Sequence, residues 1–397
     1  MAEGKLKMAF VHNAFIEYRI PLFKNLCRIY NINFFFEWFD LSLGKNKDEL
    51  PFQLLKSFKI NDQYSASPML FFHLLKGKYN LFIAGAIGQI NTYLTFFVSR
   101  LLKKPFIYWD ENWYWPCTSW GRRLVWPFLL LMLKTAEAIV VPGSKSKAFY
   151  SSIHKSVKTK IFVAPNTSIL PLNQNVELLA KMLRKSLSLE GKQVILFCGR
   201  LIRVKGFEYL LKAFSKLQAC NSNIVLLVIG GVYGTGNRYG LQELGRIYRV
   251  FGKDKVHFVG TIVNPNKAAY FLLSDVVVVP SIFLEEEYEV WGFAINEAMS
   301  AGKPIVATTA VGAAFDLVQD GTNGYIVPEK DSEALFKSIK AILGDPIKRE
   351  RMGVQSLLIV QKGFNYSNMT LAFKKAIDFA LSVSPKKRIK QINKISN

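Results

Sequence analysis

Two doubly wound α/β sheets are the architecture this sequence predicts, and three observations predict it. Short apolar runs alternate with helix-period stretches along nearly the whole chain, as strand–helix–strand crossovers of a parallel sheet do. The alternation is interrupted once, by a polar, proline-containing stretch from Thr167 to Asn175, which reads as a domain boundary. The length of 397 residues, half of them hydrophobic and 20% charged, exceeds one ordinary core and suits two.

In the first half, Lys7–Val11 reads as a strand with His12-Asn13 at its carboxyl end. Arg19–Tyr30 follows as a helix with apolar residues at helical spacing. Asn33–Phe36 is a strand, and Leu41–Gln63 is polar and irregular, a loop region. Leu81–Gly85 and Pro105–Trp109 are strands separated by the helix Ile90–Leu102. The second of these strands ends in Asp110-Glu111-Asn112. The helix Leu124–Thr135 leads into the strand Ala138–Val141, Lys145–Tyr150 is a short helix, and Ile161–Val163 closes this half. The domains expected are therefore 1–170 and 171–365.

The second half repeats the order. Val194–Phe197 is a strand, Cys198–Gly206 a basic loop and Phe207–Leu217 a helix. Ile224–Ile229 ends in Gly230-Gly231, and Val256–Val259 ends in Gly260-Thr261. Leu241–Phe251 and Lys267–Leu273 are helices, and Val276–Val279 feeds an acidic stretch from Pro280 to Pro304. Pro304–Ala307 and Gly321–Val327 supply the last strands, and Ser332–Leu343 a helix. A final helix, Met369–Leu381, lies in a segment 366–397 expected to pack back on the N-terminal domain, with a basic tail from Lys386.

Composition excludes several classes. The formal net charge of +23 favours polyanionic partners without choosing among them. Cys27, Cys117, Cys198 and Cys220 have no paired spacing, so a zinc or disulfide framework is not expected and a reducing compartment is. The first residues lack the apolar core of a secretory signal, and no run is long enough to span a bilayer. A cytoplasmic protein is expected. Up to residue 170 there are 22 Lys and Arg against 10 Asp and Glu, a net of +12. Between Tyr93 and Tyr150 these cations interleave with Phe96, Phe97, Trp109, Trp113, Trp115, Trp120, Trp126 and Phe128. Arg122-Arg123 beside Trp120 and Trp126 suits an interface of anionic lipid and water, hence peripheral attachment to an anionic membrane surface. A nucleic-acid groove would combine the same residue types, but no such motif is present and no nucleic-acid partner is expected.

Two stretches carry candidate chemistry. Gly199-Arg200 and Lys205-Gly206 lie between a strand and a helix. Their glycines permit close backbone approach, the helix start offers amides, and the two cations suit a pyrophosphate; the alternative is a solvated loop that is basic because the whole chain is. In Pro280–Pro304, Gly292 separates Glu289 from Glu297. Glu289 then projects from a loop and Glu297 from the second turn of a helix. Carboxylates so placed accept hydrogen bonds from sugar or ribose hydroxyls, while the amides of Gly292, Phe293 and Ala294 face an anion. Glu285, Glu286 and Glu287 read as a solvated acidic loop.

The C-terminal half resembles the retaining glycosyltransferases of family 4. The matching motifs are Gly199-Arg200 with Lys205-Gly206, Gly230-Gly231, Pro280-Ser281 with Glu289 and Glu297, Ala298-Met299 with Gly302 and Pro304, and Asp320-Gly321 with Asn323-Gly324. The resemblance implies the GT-B fold, two Rossmann-like domains facing a central cleft. It implies that Arg200 and Lys205 bind the donor diphosphate and stabilise it as it leaves. Glu289 would contact the donor sugar and Glu297 the ribose. Gly199, Gly231, Gly292, Phe293 and Ala294 would line the donor site, with the base near Thr261 and Val263. The donor would be a UDP- or GDP-sugar, with no cofactor and no metal, and no Asp-x-Asp motif occurs.

The N-terminal half is similar to members whose first loop carries Arg19 and Pro21 in a YRxPLF-like run. Where many relatives place a histidine, this chain has Asp110-Glu111-Asn112. The acceptor-side candidates are accordingly His12 as a catalytic group and Arg19, Asp110, Glu111 and Asn112 as contacts. The acceptor implied is a glycan or lipid-linked precursor. Alternatives are a nucleotide-sugar epimerase of the same fold and a catalytically inactive nucleotide-sugar-binding protein. A dinucleotide dehydrogenase is excluded by the lack of G-x-G-x-x-G after the first strand.

Overall fold

The structure is a computed structural model that describes residues 6–39, 50–59, 65–86, 89–115, 120–231, 241–285 and 287–383. Cys117, Glu286 and the tail from Lys386 lie outside them, as does the side chain of Trp120. Two compact units are present. The first comprises 1–167 with 366–397, the second 168–365.

Among the described residues the first unit holds nine strands: β1 (Lys7–Phe15), β2 (Asn31–Phe39), β3 (Phe52–Leu54), β4 (Phe58–Lys59), β5 (Ser65–Ala66), β6 (Leu81–Gly85), β7 (Phe106–Trp109), β8 (Ala138–Val141) and β9 (Ile161–Val163). Seven of them form one sheet in the order β3-β2-β1-β6-β7-β8-β9, and every pairing in it is parallel. β4 and β5 form a separate antiparallel pair. Along β1, Met8 and Phe10 enter one buried cluster while Ala9 and Val11 enter another. A strand apolar on both faces is what a sheet covered by helices on both sides requires. One cover is the helix Tyr366–Val383, whose Met369, Phe373 and Ile377 share a cluster with Phe10 and Trp109.

Among its described residues the second unit has six parallel strands: β10 (Gln193–Cys198), β11 (Ile224–Ile229), β12 (Val256–Gly260), β13 (Val276–Val279), β14 (Ile305–Thr308) and β15 (Gly324–Val327). Their order is β12-β11-β10-β13-β14-β15. Again the faces split by alternation: Val194 and Leu196 pack on one side, Ile195 and Phe197 on the other.

Strand order reverses between β1 and β6 in the first unit and between β10 and β13 in the second. Ligands of open α/β sheets bind beyond the carboxyl ends of strands at such switch points.

Several elements depart from expectation. β1 runs through His12 to Phe15, because His12, Ala14 and Phe15 continue the ladder with β2. His12 is therefore inside a strand and not past its end. Part of the expected loop region pairs as β3 with β2. The helices Pro68–Lys76, Gln174–Ser186 and Pro346–Gly363 were not expected. The second begins inside the polar break and is capped by Asn173, whose side chain accepts from the Val176 amide. Of the aromatics that interleave with the cations, Trp109 and Phe96 belong to the core.

Candidate functional site

In the second unit, the loop after β10 and the loop after β13 meet at the switch point. Their backbones are joined by the Ile282 amide, which donates to the Val204 carbonyl at 2.8 Å. Gly206 makes that approach possible. It has φ +62°, and a Cβ there would lie 1.9 Å from the Pro280 carbonyl oxygen, so only glycine fits. Gly230 is similar: φ is +139° and a Cβ would lie 1.8 Å from the Gly199 oxygen. The Leu201 amide donates to the Gly231 carbonyl at 3.0 Å, and the Gly230 amide to Gly260 at 2.8 Å. The strand ends of β10, β11 and β12 are thus laced together by backbone.

On this frame Lys205 Nζ is paired with Glu289 Oε2. Ser281 Oγ stands 3.3 Å from the same carboxylate oxygen. Both charged side chains are mostly buried. Glu289 is held from behind: its carbonyl accepts from Gly312 at 3.2 Å, and Trp291 O accepts from Ala313 at 2.8 Å. Gly292 follows, with φ +93°, and a Cβ would meet Val311 Cγ1 at 2.6 Å. The helix Phe293–Ser300 starts immediately after it. Arg200 is exposed, with no hydrogen bond or ion pair from its guanidinium among the described residues.

Glu297, one turn into that helix, is buried. Its Oε1 accepts from Lys267 Nζ at 2.5 Å and from Ser168 Oγ at 3.1 Å. Neither partner was expected from sequence; Lys267 belongs to the helix Asn266–Leu273 and Ser168 to the polar break. Cys198 is close by. Burial, with the Glu297 charge second, pushes its thiol up to about 12, against the pull of Lys267 and Lys205. Thr261 and Val263 are exposed beyond β12.

The first unit has its own polar cluster, at the carboxyl ends of β1 and β7. His12 is buried, its ring 4.8 Å from that of Trp109. Arg19 Nη1 lies 3.1 Å from His12 Nδ1 and 3.2 Å from Nε2. Burial, then the neighbouring Arg19, lowers the imidazole well below its usual range, so His12 is neutral at pH 7. Arg19 Nη2 pairs with Glu111 Oε1 at 2.7 Å, and the guanidinium lies 4.8 Å over Trp109. Burial pulls the Arg19 pKa down, but Tyr18, Glu111 and Asp110 outweigh it and hold it above its usual value.

Asp110 is buried, accepts from Tyr150 Oη, and takes the Asn112 amide at 3.0 Å. Burial, then Asp110 itself, raises Tyr150 well above its usual value, so it stays a donor. Asn112 Nδ2 also bonds Asp110, at 3.0 Å. Sequence reasoning missed Tyr150, which sits on the helix Ser144–Ile153. It also missed Ala86, which follows β6 with φ +74°, a left-handed conformation costly for a residue with a Cβ. Strain at a switch point is where binding sites keep it.

The structure thus brings Lys205, Glu289 and the start of the Phe293 helix together in one unit, with Glu297 on the same helix. In the other it brings together His12, Arg19 and Glu111, with Asp110 and Asn112 adjoining. Among the described residues no group of three His, Cys, Asp or Glu side chains is arranged to hold a metal ion.

Residues 180–356 match the family model described as Glycosyl transferases group 1. Spore coat protein SA of Bacillus subtilis (strain 168) is 29% identical over 193 residues, 47% of this chain and 49% of that protein. The lipopolysaccharide 1,2-N-acetylglucosaminetransferase of Salmonella typhimurium (strain LT2) is 28% identical over 246 residues, 59% of this chain and 60% of that one. The chain thus spans about half the length of the curated relatives it matches. The crystal structure of Anabaena Alr3699/HepE in complex with UDP superposes with a TM-score of 0.74 at 18% identity, covering 94% of this chain and all of that one. That likeness shows the fold: two Rossmann-like units of the GT-B type.

Proposed function

We propose that this chain moves a sugar from a nucleotide-sugar donor to an acceptor, a reading supported by the match of residues 180–356 to the family model of the glycosyl transferases group 1. The observation that carries this reading is the meeting of Lys205, Glu289 and Ser281 at the switch point of the second unit, beside the helix that starts at Phe293. A diphosphate is served there by Lys205, by the exposed Arg200 and by the amides after Gly292. A sugar hydroxyl is served by the Glu289 carboxylate. Glu297 faces the ribose. Anabaena Alr3699/HepE has been crystallised with UDP and with UDP-glucose, which supports a UDP-sugar over a GDP-sugar.

The step we propose is transfer with retention of anomeric configuration and without a metal. Negative charge grows on the leaving diphosphate as the bond to the anomeric carbon stretches. Cations fixed at that point lower the barrier because they need no reorganisation during the reaction. Lys205 serves both ends of the bond: it neutralises phosphate, and in the resting protein it holds Glu289 in place. The cluster of His12, Arg19, Glu111, Asp110 and Asn112 is proposed as the acceptor side. A neutral His12 accepts a proton or a hydrogen bond, and the Arg19–Glu111 pair orients a hydroxyl-rich ligand. The acceptor proposed is a glycan or lipid-linked precursor, met at the cytoplasmic face of a membrane. The similarity to the Salmonella lipopolysaccharide 1,2-N-acetylglucosaminetransferase supports that choice.

The test combines binding and turnover. A panel of UDP- and GDP-sugars is screened for thermal stabilisation; a ligand at a hundred times its Kd adds about 2.7 kcal/mol. The stabilising sugar is then used with wild-type protein and with Lys205→Ala, and the product anomer is read by NMR. Loss of transfer in Lys205→Ala with an unchanged fold is expected. Undiminished transfer in that variant, or no stabilisation by any nucleotide sugar, overturns the reading. Conversion of the donor's sugar without any acceptor would favour an epimerase.

A further inference from the structure

We propose that three neighbouring helices of the first unit, Pro68–Lys76, Ile90–Leu101 and Trp120–Thr135, form a face that docks on an anionic lipid bilayer. The inference deepens the reading of a membrane-located acceptor and takes its purpose from it.

The three helices cover the same side of the seven-stranded sheet. Leu74, Phe96 and Leu129, one from each, share a buried cluster with Ala9, Val11 and Phe82 of β1 and β6. Their inward stripes are therefore already used. Each helix nevertheless carries a second apolar stripe on its outer side. Met69 with Phe72 on the first, Phe97 with Leu101 on the second, and Leu124, Phe128 and Leu131 on the third are between 47% and 65% exposed. On the third helix, Leu124, Phe128 and Leu131 recur at i, i+4 and i+7, one continuous line. Scattered exposed leucines are ordinary, but such lines on three adjacent helices make a patch that folding does not explain.

Charge selects the occupant. From residue 65 to 136 the sequence has eight Lys and Arg and only two acidic residues, Asp110 and Glu111. Both acids are turned to partners in the fold: Asp110 to Tyr150 and Glu111 to Arg19. Of the cations, Arg100 is neutralised by Glu137. Lys76, Lys103, Arg123 and Lys134 are exposed at the ends of the helices, and Arg123 and Lys134 bracket the Leu124–Leu131 line. A second copy seated symmetrically on this face would set like charges against like. An anionic bilayer accepts both features. Apolar side chains enter the headgroup–acyl boundary, and cations stay among phosphates. No helix among the described residues is long and apolar enough to cross a membrane, so the contact is with the surface.

The structure also changes which residues carry this property. Trp109 and Phe96 are core; the aliphatic and phenylalanine lines take the role the tryptophans suggested.

The experiment is vesicle flotation of the full chain. Vesicles of phosphatidylcholine alone are compared with vesicles containing phosphatidylglycerol. The protein is expected to float with the second and not the first, and to release in high salt. Phe128→Glu with Leu131→Glu should abolish flotation. Arg123→Gln with Lys134→Gln should weaken it roughly thirtyfold, at about a tenfold change per 1.4 kcal/mol and about one kcal/mol per cation. All four positions are exposed, so an unchanged melting temperature and unchanged donor binding are expected. Equal flotation on neutral vesicles, or undiminished flotation of the Phe128→Glu/Leu131→Glu protein, overturns the proposal. So does a dimer in light scattering that this variant dissolves while the wild type never floats, because the face would then bind a second copy. A protein that floats as predicted but transfers no sugar refutes the enzymatic reading and leaves the face standing.

Discussion

Replacing Lys267 by Met tests whether Glu297 is held by a partner that sequence did not disclose. The ammonium lies 2.5 Å from Glu297 Oε1, and the side chains are only 19% and 7% exposed. Removing one member of a buried pair leaves the other charged and desolvated, which costs about 3–5 kcal/mol. Ser168 Oγ still donates to the same oxygen at 3.1 Å, so the lower end, about 3 kcal/mol, applies. The second unit spans 168–365. At about 2.1 cal/mol/K per residue, a unit of roughly 200 residues has an unfolding entropy near 0.4 kcal/mol/K. The expected fall in Tm is about 7 °C. Lys267→Met combined with Glu297→Gln removes the stranded charge while keeping an acceptor for Ser168, and should recover more than half of the loss. A double-mutant cycle followed by circular dichroism measures both numbers. Donor KM should also rise in Lys267→Met, since a Glu297 carboxylate released from Lys267 no longer presents a fixed oxygen. A fall of less than about 2 °C, or a double variant no more stable than the single one, refutes the argument.

Three further outcomes are expected. Gly206→Ala forces a Cβ onto the Pro280 carbonyl at a φ of +62° and should lower the Tm of the second unit by at least about 5 °C; differential scanning calorimetry reads it. His12 is lowered by burial and by Arg19, so below about pH 6.5 the unfolded chain binds a proton that the folded one refuses. Stability of the first unit should therefore be full above pH 6.5 and fall as pH drops toward the folded pKa, by up to about 1.4 kcal/mol per pH unit, and His12→Gln should remove that slope. Cys198, with its thiol pushed up to about 12, is on the order of one part in ten thousand thiolate at pH 8. Mass spectrometry after brief iodoacetamide treatment of the native protein should find Cys220, which is exposed, alkylated well before Cys198.

Most strands of the two large sheets were legible because they are short apolar runs bounded by turn residues or a charge, and that signal is local; β3, β4 and β5, only two or three residues each, were not. The sequence reading placed β6, β8, β11 and β13 at the observed residues. The helices Gln174–Ser186 and Pro346–Gly363 were not read. Both are mostly polar on their outer faces, and each buries only a few residues, such as Val176 with Ala180 and Met352 with Val360. Their stability comes from caps and from the surfaces they cover, which a periodicity argument underweights. His12 was misplaced by a similar limit. A polar pair inside an apolar strand reads as its end, unless a neighbouring strand extends the ladder.

What the sequence determined by itself was the inventory: two alternating α/β halves, a basic glycine loop, a glycine between two glutamates, and an acid-poor aromatic stretch. Composition and short-range periodicity suffice for that. Pairing was decided only by the tertiary structure. Lys205 meets Glu289 across 84 residues, Lys267 meets Glu297 across 30, and Arg19 meets Glu111 across 92. Those distances close because β10 lies beside β13, and β1 and β7 flank β6. Strand order is a property of the assembled sheet, not of any segment in it. The outward line of Leu124, Phe128 and Leu131 obeys the same rule. Its residues look like core in the sequence, and only the packing of Leu129, Met132 and Leu133 on the opposite side turns them to solvent.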